Sequence, residues 1–304
     1  MTLAEHVRTL GRGPGRSRDL TQAEAFDAMS LMMRGDAAPE AIGAMLMLLR
    51  MKGETADEIA GFAGAARAAL PQLPPVDLDW PSYAAGRTRG APWFLISARE
   101  VAERGHRLLL HGWNGSDPKV RLGLEKVGIR VAVTPETIGD TLDRHGIAYA
   151  PLEDLHPALY RLLRLRDVVG LRSCVNTVCR MLNPAGARSS VQGVFHPTYR
   201  QVQAKAAQLL GWQNLSVIKG GGGEFECHPG KAIAAYGLRN GQGWEAVWPA
   251  SVTEARRLAE PSGNTLSAEW HSGRPAAFER AIIDATRQAA LDTLMASSSA
   301  RSAA

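Results

Sequence analysis

The spacing of apolar residues divides the chain into a helical first part and a mixed second part. In the first part, apolar side chains recur every three or four positions, as they do from Ile42 to Leu49, which is the period of an amphipathic helix. Thr21 and Thr55 each stand three residues before a glutamate, and this spacing is typical of the capping box that begins a helix. The pattern predicts a small α-helical bundle over residues 1–72, with its methionines in the core.

After the proline-rich stretch 71–77, short apolar runs alternate with helical segments. Prolines disfavour continuation of a helix, so this stretch predicts a linker. Strands that alternate with helices are typical of a mostly parallel sheet flanked by helices. The sequence therefore predicts an α/β domain over residues 73–304, with a disordered tail from about residue 296. The predicted strands are Trp93–Ile96, Arg107–Leu110, Ile129–Val133, Ser190–Phe195, Leu215–Ile218 and Trp244–Trp248, and the predicted helices include Pro135–Arg144 and Pro197–Leu210.

A run of four glycines follows the predicted strand Leu215–Ile218. Its residues and the charged side chains around it are Lys219, Gly220, Gly221, Gly222, Gly223, Glu224, Glu226 and Lys231. Glycine weakens helices and strands, but a backbone without Cβ atoms can lie close to a ligand. Ligands of open α/β sheets bind at the carboxyl ends of the strands, so we expect a binding site at this loop. The alternative is a flexible surface loop, because glycine runs also form linkers.

Basic residues are concentrated in two windows of the chain, whose formal net charge is +5. Residues 81–130 contain nine basic and four acidic side chains, and residues 161–205 contain eight basic side chains and one acid, Asp167. A clustered basic excess is typical of proteins that bind a polyanion, of which nucleic acid is the commonest. The alternative is an arginine-rich surface whose charges are scattered.

Composition excludes several classes of protein. With 45% hydrophobic and 21% charged residues, the chain is typical of a soluble globular protein. Its three cysteines, Cys174, Cys179 and Cys227, are too few for a disulfide scaffold. Together with the lack of a secretory or membrane-spanning pattern, they predict a cytoplasmic protein. A zinc site is disfavoured because the cysteine spacing differs from the usual CxxC pairs.

Three separated motifs and the helical first part together resemble the anthranilate phosphoribosyltransferase family (glycosyl transferase family three). The motifs are HGWN at His111–Asn114, NPA at Asn183–Ala185 and the glycine loop at Lys219–Glu226. The similarity covers essentially the whole chain. It implies a fold of the nucleoside phosphorylase/phosphoribosyltransferase type, in which the two domains clamp phosphoribosyl pyrophosphate and an aromatic amine. It also implies that residues 156–175 pack back onto the helical domain.

The resemblance assigns several residues to the cleft between the domains. Arg166, within HPALYRLLRLRDVVGLR, lies where the family has its anthranilate-contacting arginine. His111 and Gly112 match the first half of the family's K-H-G-N-R motif. The residual cleft positions implied in this way are Ser97, His111, Gly112, Asn183, Gly220, Gly221, Gly222, Gly223, Glu224 and Glu226.

Two departures from the family pattern affect donor binding. The family's pyrophosphate loop, G-T-G-G-D, is replaced by residues 85–89, where Arg87 is bulky at a glycine position and Arg89 replaces an acid. A glycine loop presents backbone N–H groups to pyrophosphate, and a large side chain prevents that approach. The family's metal-holding Asp-Glu pair is represented by Gly223 and Glu224, which weakens an oxygen-rich magnesium site.

These departures lead to two hypotheses. The first is a non-sequence-specific DNA- or RNA-binding protein without cofactor or catalytic residues, similar to the YbiB-like branch of the family, which binds nucleic acid. It forms a homodimer through the helical domain and contacts phosphates. The predicted phosphate-binding residues are Arg87, Arg89, Arg99, Lys119, Arg164, Arg166, Arg172, Lys219 and Lys231. The second is an active phosphoribosyl- or pentosyltransferase that uses magnesium and acts on an unidentified base or aromatic amine.

Overall fold

Four helices form the first part of the computed structural model, which describes residues 2–84, 90–115, 117–254 and 276–296. They are α1 (Leu3–Gly11), α2 (Gln22–Arg34), α3 (Pro39–Lys52) and α4 (Ala56–Ala68). The predicted capping boxes are confirmed: the hydroxyls of Thr21 and Thr55 each accept from the backbone N–H three residues on, at 3.2 Å. Helix α2 ends at Gly35, whose φ of 83° is one that glycine adopts without a Cβ clash.

An eight-stranded sheet forms the centre of the second part. The strands are β1 (Leu78–Ser82), β2 (Leu108–Gly112), β3 (Arg130–Val131), β4 (Ile147–Pro151), β5 (Ser189–Val194), β6 (Asn214–Lys219), β7 (Ile233–Arg239) and β8 (Gln242–Trp248). Their order is β3-β4-β2-β1-β5-β6-β7-β8. Strands β1 to β6 pair in parallel, and β7 and β8 add an antiparallel edge. The predicted fold class, a small helical domain followed by a mostly parallel α/β domain, is thus confirmed.

Helices cover both faces of the sheet. They are α5 (Phe94–Ala102), α6 (Lys119–Lys126), α7 (Pro135–His145), α8 (Leu152–Leu155), α9 (Pro157–Arg164), α10 (Arg166–Val169), α11 (Val175–Arg180), α12 (Tyr199–Leu209) and α13 (Ala277–Met295). Two buried clusters follow from this layering. One joins a face of the sheet to the helical domain, and the other joins the opposite face to α5 and α13. Within the described ranges, no helix is both long and apolar enough to cross a membrane.

One predicted strand is wrong. Trp93–Ile96 begins helix α5, which continues to Ala102 and buries Phe94, Leu95, Ala98 and Val101. A run of four apolar residues fits either a buried strand or the start of a buried helix, and the later apolar positions decide it. The other five predicted strands are present with ends shifted by up to two residues, whereas β1, β4 and β7 were not predicted.

The segment after β4 leaves the sheet and packs on the helical domain. Helix α9 lies against α2, and α11 lies against α4. His156 joins the two parts, because its Nε2 lies 3.0 Å from the carbonyl oxygen of Ala66 while its Nδ1 accepts from the backbone N–H of Leu159. Burial lowers the pKa of His156. Residues of both domains therefore border the space beside this segment.

Candidate functional site

A cleft of about 890 Å³ lies between the helical domain and the carboxyl end of β5. Its walls come from the end of α3, from α10 and α11, and from the first residues of α12. The lining residues are Arg50, Met51, Glu54, Arg166, Asp167, Gly170, Leu171, Arg172, Ser173, Asn176, Thr177, Arg180, Val194, Phe195, His196, Thr198, Tyr199 and Gln203. A cleft at the carboxyl end of a parallel strand and at a domain junction is where small ligands usually bind.

Positive charge dominates the cleft. Four arginines line it, and only two carboxylates do, those of Glu54 and Asp167. Both carboxylates already have partners. Glu54 accepts a 2.7 Å hydrogen bond from the Tyr199 hydroxyl, and Asp167 pairs with Arg164 at 2.5 Å. The arginines that face the cleft are Arg50, Arg166, Arg172 and Arg180. This wall is suited to an anionic ligand.

Arg180 is the most buried of the four, with 6% of its surface exposed. Its Nη2 donates to the Tyr83 carbonyl oxygen at 2.8 Å, and its Nη1 bonds the side-chain oxygen of Asn176. Burial lowers the pKa of Arg180, and the nearby Glu224 carboxylate opposes that shift. Even so, a guanidinium retains its charge at neutral pH. The cleft therefore contains a fixed, largely desolvated cation.

Glu224 and Glu226 lie buried behind the glycine loop, with 1% and 3% of their surfaces exposed. The Glu224 Oε1 accepts from the Ala84 backbone N–H at 2.9 Å and from the Asn114 amide at 3.2 Å. The Glu226 Oε2 accepts from the backbone N–H of Phe94 at 3.0 Å. Burial raises the pKa of Glu224 to about 7 and that of Glu226 to about 8. The two carboxyls act mainly as internal ties between loops.

The glycine loop packs more closely against the neighbouring backbone, including that of Glu224, than against the cleft. Gly221–Gly223 form a single 3₁₀ turn after β6. A Cβ on Gly220 would lie 1.5 Å from the Glu224 carbonyl oxygen, and one on Gly193 would lie 2.1 Å from the Glu224 carbonyl carbon. The missing side chains thus allow the loop to fold back and bury Glu224. Gly223 is adjacent to the cleft wall, since its Cβ would lie 3.4 Å from Arg180 Nη2.

The other residual cleft positions are structural groups in this fold. His111 is fully buried, with Nδ1 2.9 Å from the Tyr83 hydroxyl and Nε2 3.1 Å from Asp79 Oδ1. Ser97 is also buried, and its hydroxyl donates to the Ile283 carbonyl of α13. Asn183, at a φ of 41°, closes a turn through two 2.9 Å bonds with Ala187. Gly112 permits close pairing, because a Cβ there would lie 2.1 Å from the Ser82 carbonyl oxygen.

The predicted phosphate-binding residues are distributed over several surfaces. Arg166 and Arg172 line the cleft, whereas Arg164 lies beside it with its guanidinium 5.7 Å from the Trp113 ring centre. Arg99 pairs with Glu103 and donates to the Gly128 carbonyl oxygen, away from the cleft lining. Lys119, Lys219 and Lys231 are exposed at the ends of other elements. Arg87 and Arg89 lie outside the described residues.

Sequence reasoning missed two arginines of the cleft, Arg50 and Arg180. Arg50 lies in the last turn of helix α3, and its Nη1 donates to the Arg172 carbonyl oxygen at 2.5 Å. Arg180 was counted only as part of a basic window. A usable signal was its place in VNTVCRMLNP, where a single arginine is enclosed by apolar residues. Such a residue is buried and needs partners.

Comparison with known proteins identifies the family. Residues 4–70 match the helical bundle domain of the glycosyl transferase family, and residues 121–250 match its a/b domain. Anthranilate phosphoribosyltransferase 1 of Ralstonia nicotianae is 31% identical over 233 residues, 74% of this chain and 68% of that protein. The enzyme of Myxococcus xanthus is 32% identical over 250 residues, 79% and 71% of the two chains. The chain belongs to the anthranilate phosphoribosyltransferase family.

Solved structures of the family share the fold. Anthranilate phosphoribosyltransferase from Thermus thermophilus aligns with a TM-score of 0.81 at 21% identity, covering 97% of this chain and 89% of that one. The Saccharomyces cerevisiae enzyme in complex with PRPP and Mg aligns with a TM-score of 0.71 at 14% identity, covering 96% and 88%. These likenesses extend over both domains and both faces of the sheet.

A magnesium site of paired carboxylates does not fit the residues described. Glu224 follows a glycine rather than an acid, and one of its oxygens already accepts two hydrogen bonds. Within the described parts of the chain, no three His, Cys, Asp or Glu side chains converge as a metal-binding group. Magnesium prefers several oxygen ligands in octahedral geometry.

Proposed function

We propose that the protein is a phosphoribosyl- or pentosyltransferase whose cleft binds a phosphorylated pentose donor and an unidentified base or aromatic amine. The observation that carries the proposal is the arginine-lined cleft of about 890 Å³ at the domain junction. Its volume suits a phosphorylated sugar together with a planar acceptor. The relatives by sequence are anthranilate phosphoribosyltransferases, which supports transfer over the nucleic-acid hypothesis.

The residues of the cleft have a direct chemical role in such a transfer. The bond between the pentose C1 and its phosphate leaving group breaks while a bond from C1 to an acceptor nitrogen forms. The leaving group takes the electron pair, and the acceptor nitrogen releases its proton to water. Guanidinium groups fixed beside the leaving group stabilise the negative charge that develops on it. Arg166 and Arg180 are positioned for this, since both line the cleft and their backbones are held in helices α10 and α11.

The test is product formation. The protein is incubated with phosphoribosyl pyrophosphate and a panel containing anthranilate, other aromatic amines and nucleobases, and ribosylated products are measured by mass spectrometry. We expect one acceptor to be converted. Arg166→Ala should slow that conversion about 10- to 100-fold, the usual cost of a lost charged hydrogen bond. The control, Arg144→Ala, alters an exposed arginine on α7 and should leave the rate unchanged. No product with any acceptor contradicts the proposal.

Nucleic-acid binding is a second candidate, favoured by one observation. The guanidinium carbons of Arg164 and Arg166 lie 5.7 Å and 5.9 Å from the Trp113 ring centre. Both arginines belong to the basic window 161–205, and two guanidinium groups beside a half-buried indole suit a phosphate backbone beside a stacked base. Trp113 also packs against the core, so a base can stack only on the part of the indole face that this packing leaves exposed.

A salt titration distinguishes nucleic-acid binding from phosphoribosyl or pentosyl transfer as the function of the protein. Binding to single- and double-stranded oligonucleotides is measured at two salt concentrations. For backbone contacts, Arg164→Ala should reduce the slope of log K against log salt by about 0.7–0.9. If the affinity for oligonucleotides does not fall as the salt concentration rises, the protein does not bind them through the phosphate backbone. The homodimer through the helical domain also stays a prediction, which sedimentation velocity tests.

A further inference from the structure

We infer that Arg180 replaces a divalent metal ion in this cleft, so that the protein holds a phosphate or diphosphate group without metal. This inference rests on the proposed function in that it concerns the same cleft, and it specifies how the anionic part of the ligand is recognised. It is argued from the two sides of the glycine loop, where Glu224 and Glu226 are hydrogen bonded to other loops and Arg180 lies beside Gly223.

Among the described residues, Glu224 and Glu226 do not join a third His, Cys, Asp or Glu side chain in a metal-binding group, although Glu224 Oε2 is buried without a hydrogen-bond partner. Glu224 Oε1 is occupied by the Ala84 N–H and the Asn114 amide, and Glu226 Oε2 is occupied by the Phe94 N–H. These bonds direct the two carboxyls into separate loops rather than towards one point.

The guanidinium of Arg180 lies between the residue that follows β1 and the glycine loop. Its Nη2 donates to the Tyr83 carbonyl oxygen at 2.8 Å, and the next residue, Ala84, donates its N–H to Glu224. Gly223 lies on the other side, where a Cβ would be 3.4 Å from Nη2. The positive charge is therefore placed between the end of β1, the glycine loop and the cleft, and it is fixed there by Asn176.

This cation has no carboxylate within salt-bridge distance among the described residues. Arg180 and Arg50 both line the cleft, and neither forms an ion pair of 4.0 Å or less with any acid in those parts of the chain. The Glu224 carboxylate acts on Arg180 without a direct ion pair, so a bound anion would give this largely desolvated charge a direct partner. Arg166 adds a third positive group, with its Nη1 buried and not hydrogen bonded to any described residue. Several guanidinium groups around one space match a group that carries two or more negative charges.

Calorimetry with inorganic pyrophosphate tests the inference, first in EDTA and then with excess magnesium. We expect wild-type protein to bind pyrophosphate in EDTA, with no gain in affinity on adding magnesium. Arg180→Gln should weaken binding in EDTA about 10- to 100-fold. Arg180→Lys keeps one charge but loses the two-point contact. Its affinity for pyrophosphate in EDTA should lie between those of the wild type and Arg180→Gln. The matched control, Arg144→Gln, removes an exposed guanidinium on α7 and should bind as the wild type does.

Two outcomes overturn the inference while leaving the proposed transfer intact. One is binding that requires magnesium, and the other is unchanged affinity in Arg180→Gln. If the arginine variants do not fold, the side-chain Nε–Hε resonance of Arg180 in the wild type gives the answer. It should shift when pyrophosphate is added in EDTA, and an unmoved resonance overturns the inference. Conversely, metal-free binding without any transfer product would contradict the proposed function and support the inference.

Competition experiments identify which kind of molecule carries the phosphate group that the cleft binds. Phosphoribosyl pyrophosphate and a short single-stranded oligonucleotide are each tested for displacement of pyrophosphate in EDTA. Displacement by the sugar donor is expected, because the group it carries is the diphosphate itself. Displacement by the oligonucleotide alone would still support a metal-free phosphate site and would assign its natural ligand to a nucleic acid. Failure of both to displace pyrophosphate would overturn the assignment to phosphate esters.

Discussion

At the scale of single residues, Gly220 is the most sterically constrained position of the glycine loop. Its φ of −92° is ordinary for any residue, so the constraint is space alone. We expect Gly220→Ala to destabilise the fold by about 1–3 kcal/mol, because the added methyl group would overlap the Glu224 carbonyl. The free energy of unfolding by urea measures this. Gly243→Ala, where a Cβ has no neighbour within 4 Å, is the control. Equal stability of the two variants would contradict the fold-back of the loop.

A second residue-scale prediction concerns pH. The pKa of Glu226 rises from 4.5 to about 8 on burial, so between these pH values the folded protein keeps a proton that the unfolded chain releases. The unfolded state then binds fewer protons, and stability must fall as pH rises through this window. Glu226→Gln removes this loss. The difference in unfolding free energy between variant and wild type should therefore move in favour of the variant from pH 5 to pH 8. Glu125→Gln, at an exposed position, is the control, and parallel curves for all three proteins would refute the prediction.

At the scale of elements, buried Glu58 ties the start of α4 to two other segments. Its carboxylate accepts from the backbone N–H groups of Leu20 and Thr55 at 3.0 Å and 2.8 Å, and from Lys52 Nζ at 2.9 Å. Glu58→Ala leaves the two backbone N–H groups without this acceptor, whereas Lys52 keeps Asp19 at 2.6 Å, so we expect a loss of about 2–4 kcal/mol in unfolding free energy. Asp57→Ala, at the exposed neighbouring position, should cost much less. A thermal melt of both variants decides this.

Some of the helices and strands could be predicted from the sequence, and others could not. The helical domain was predictable because Thr21, Thr55 and Gly35 are local signals whose effect depends on neighbouring residues. Strand β7 and its hairpin with β8 were missed although Asn240 and Gly241, at φ values of 50° and 78°, form the Asn-Gly turn that is typical of two-residue hairpins. Here the signal was present in the sequence and was not used.

At the scale of the whole molecule, the candidate site depends on contacts between distant parts of the chain. Arg50 meets Arg172 across 122 positions, and Ala84 meets Glu224 across 140. No local pattern encodes such contacts. The family resemblance brought Arg166 to the cleft, but it could not indicate that His111 and Ser97 would be buried against Tyr83 and α13.

The most direct test of the account is a crystal structure of the protein with phosphoribosyl pyrophosphate, grown in EDTA. We predict that the diphosphate lies in the cleft, with its oxygens within hydrogen-bonding distance of the Arg166 and Arg180 guanidinium groups. The same crystals of Arg180→Gln should show the diphosphate absent or displaced. Density for the ligand at another surface, or a diphosphate that contacts neither arginine, would contradict the account.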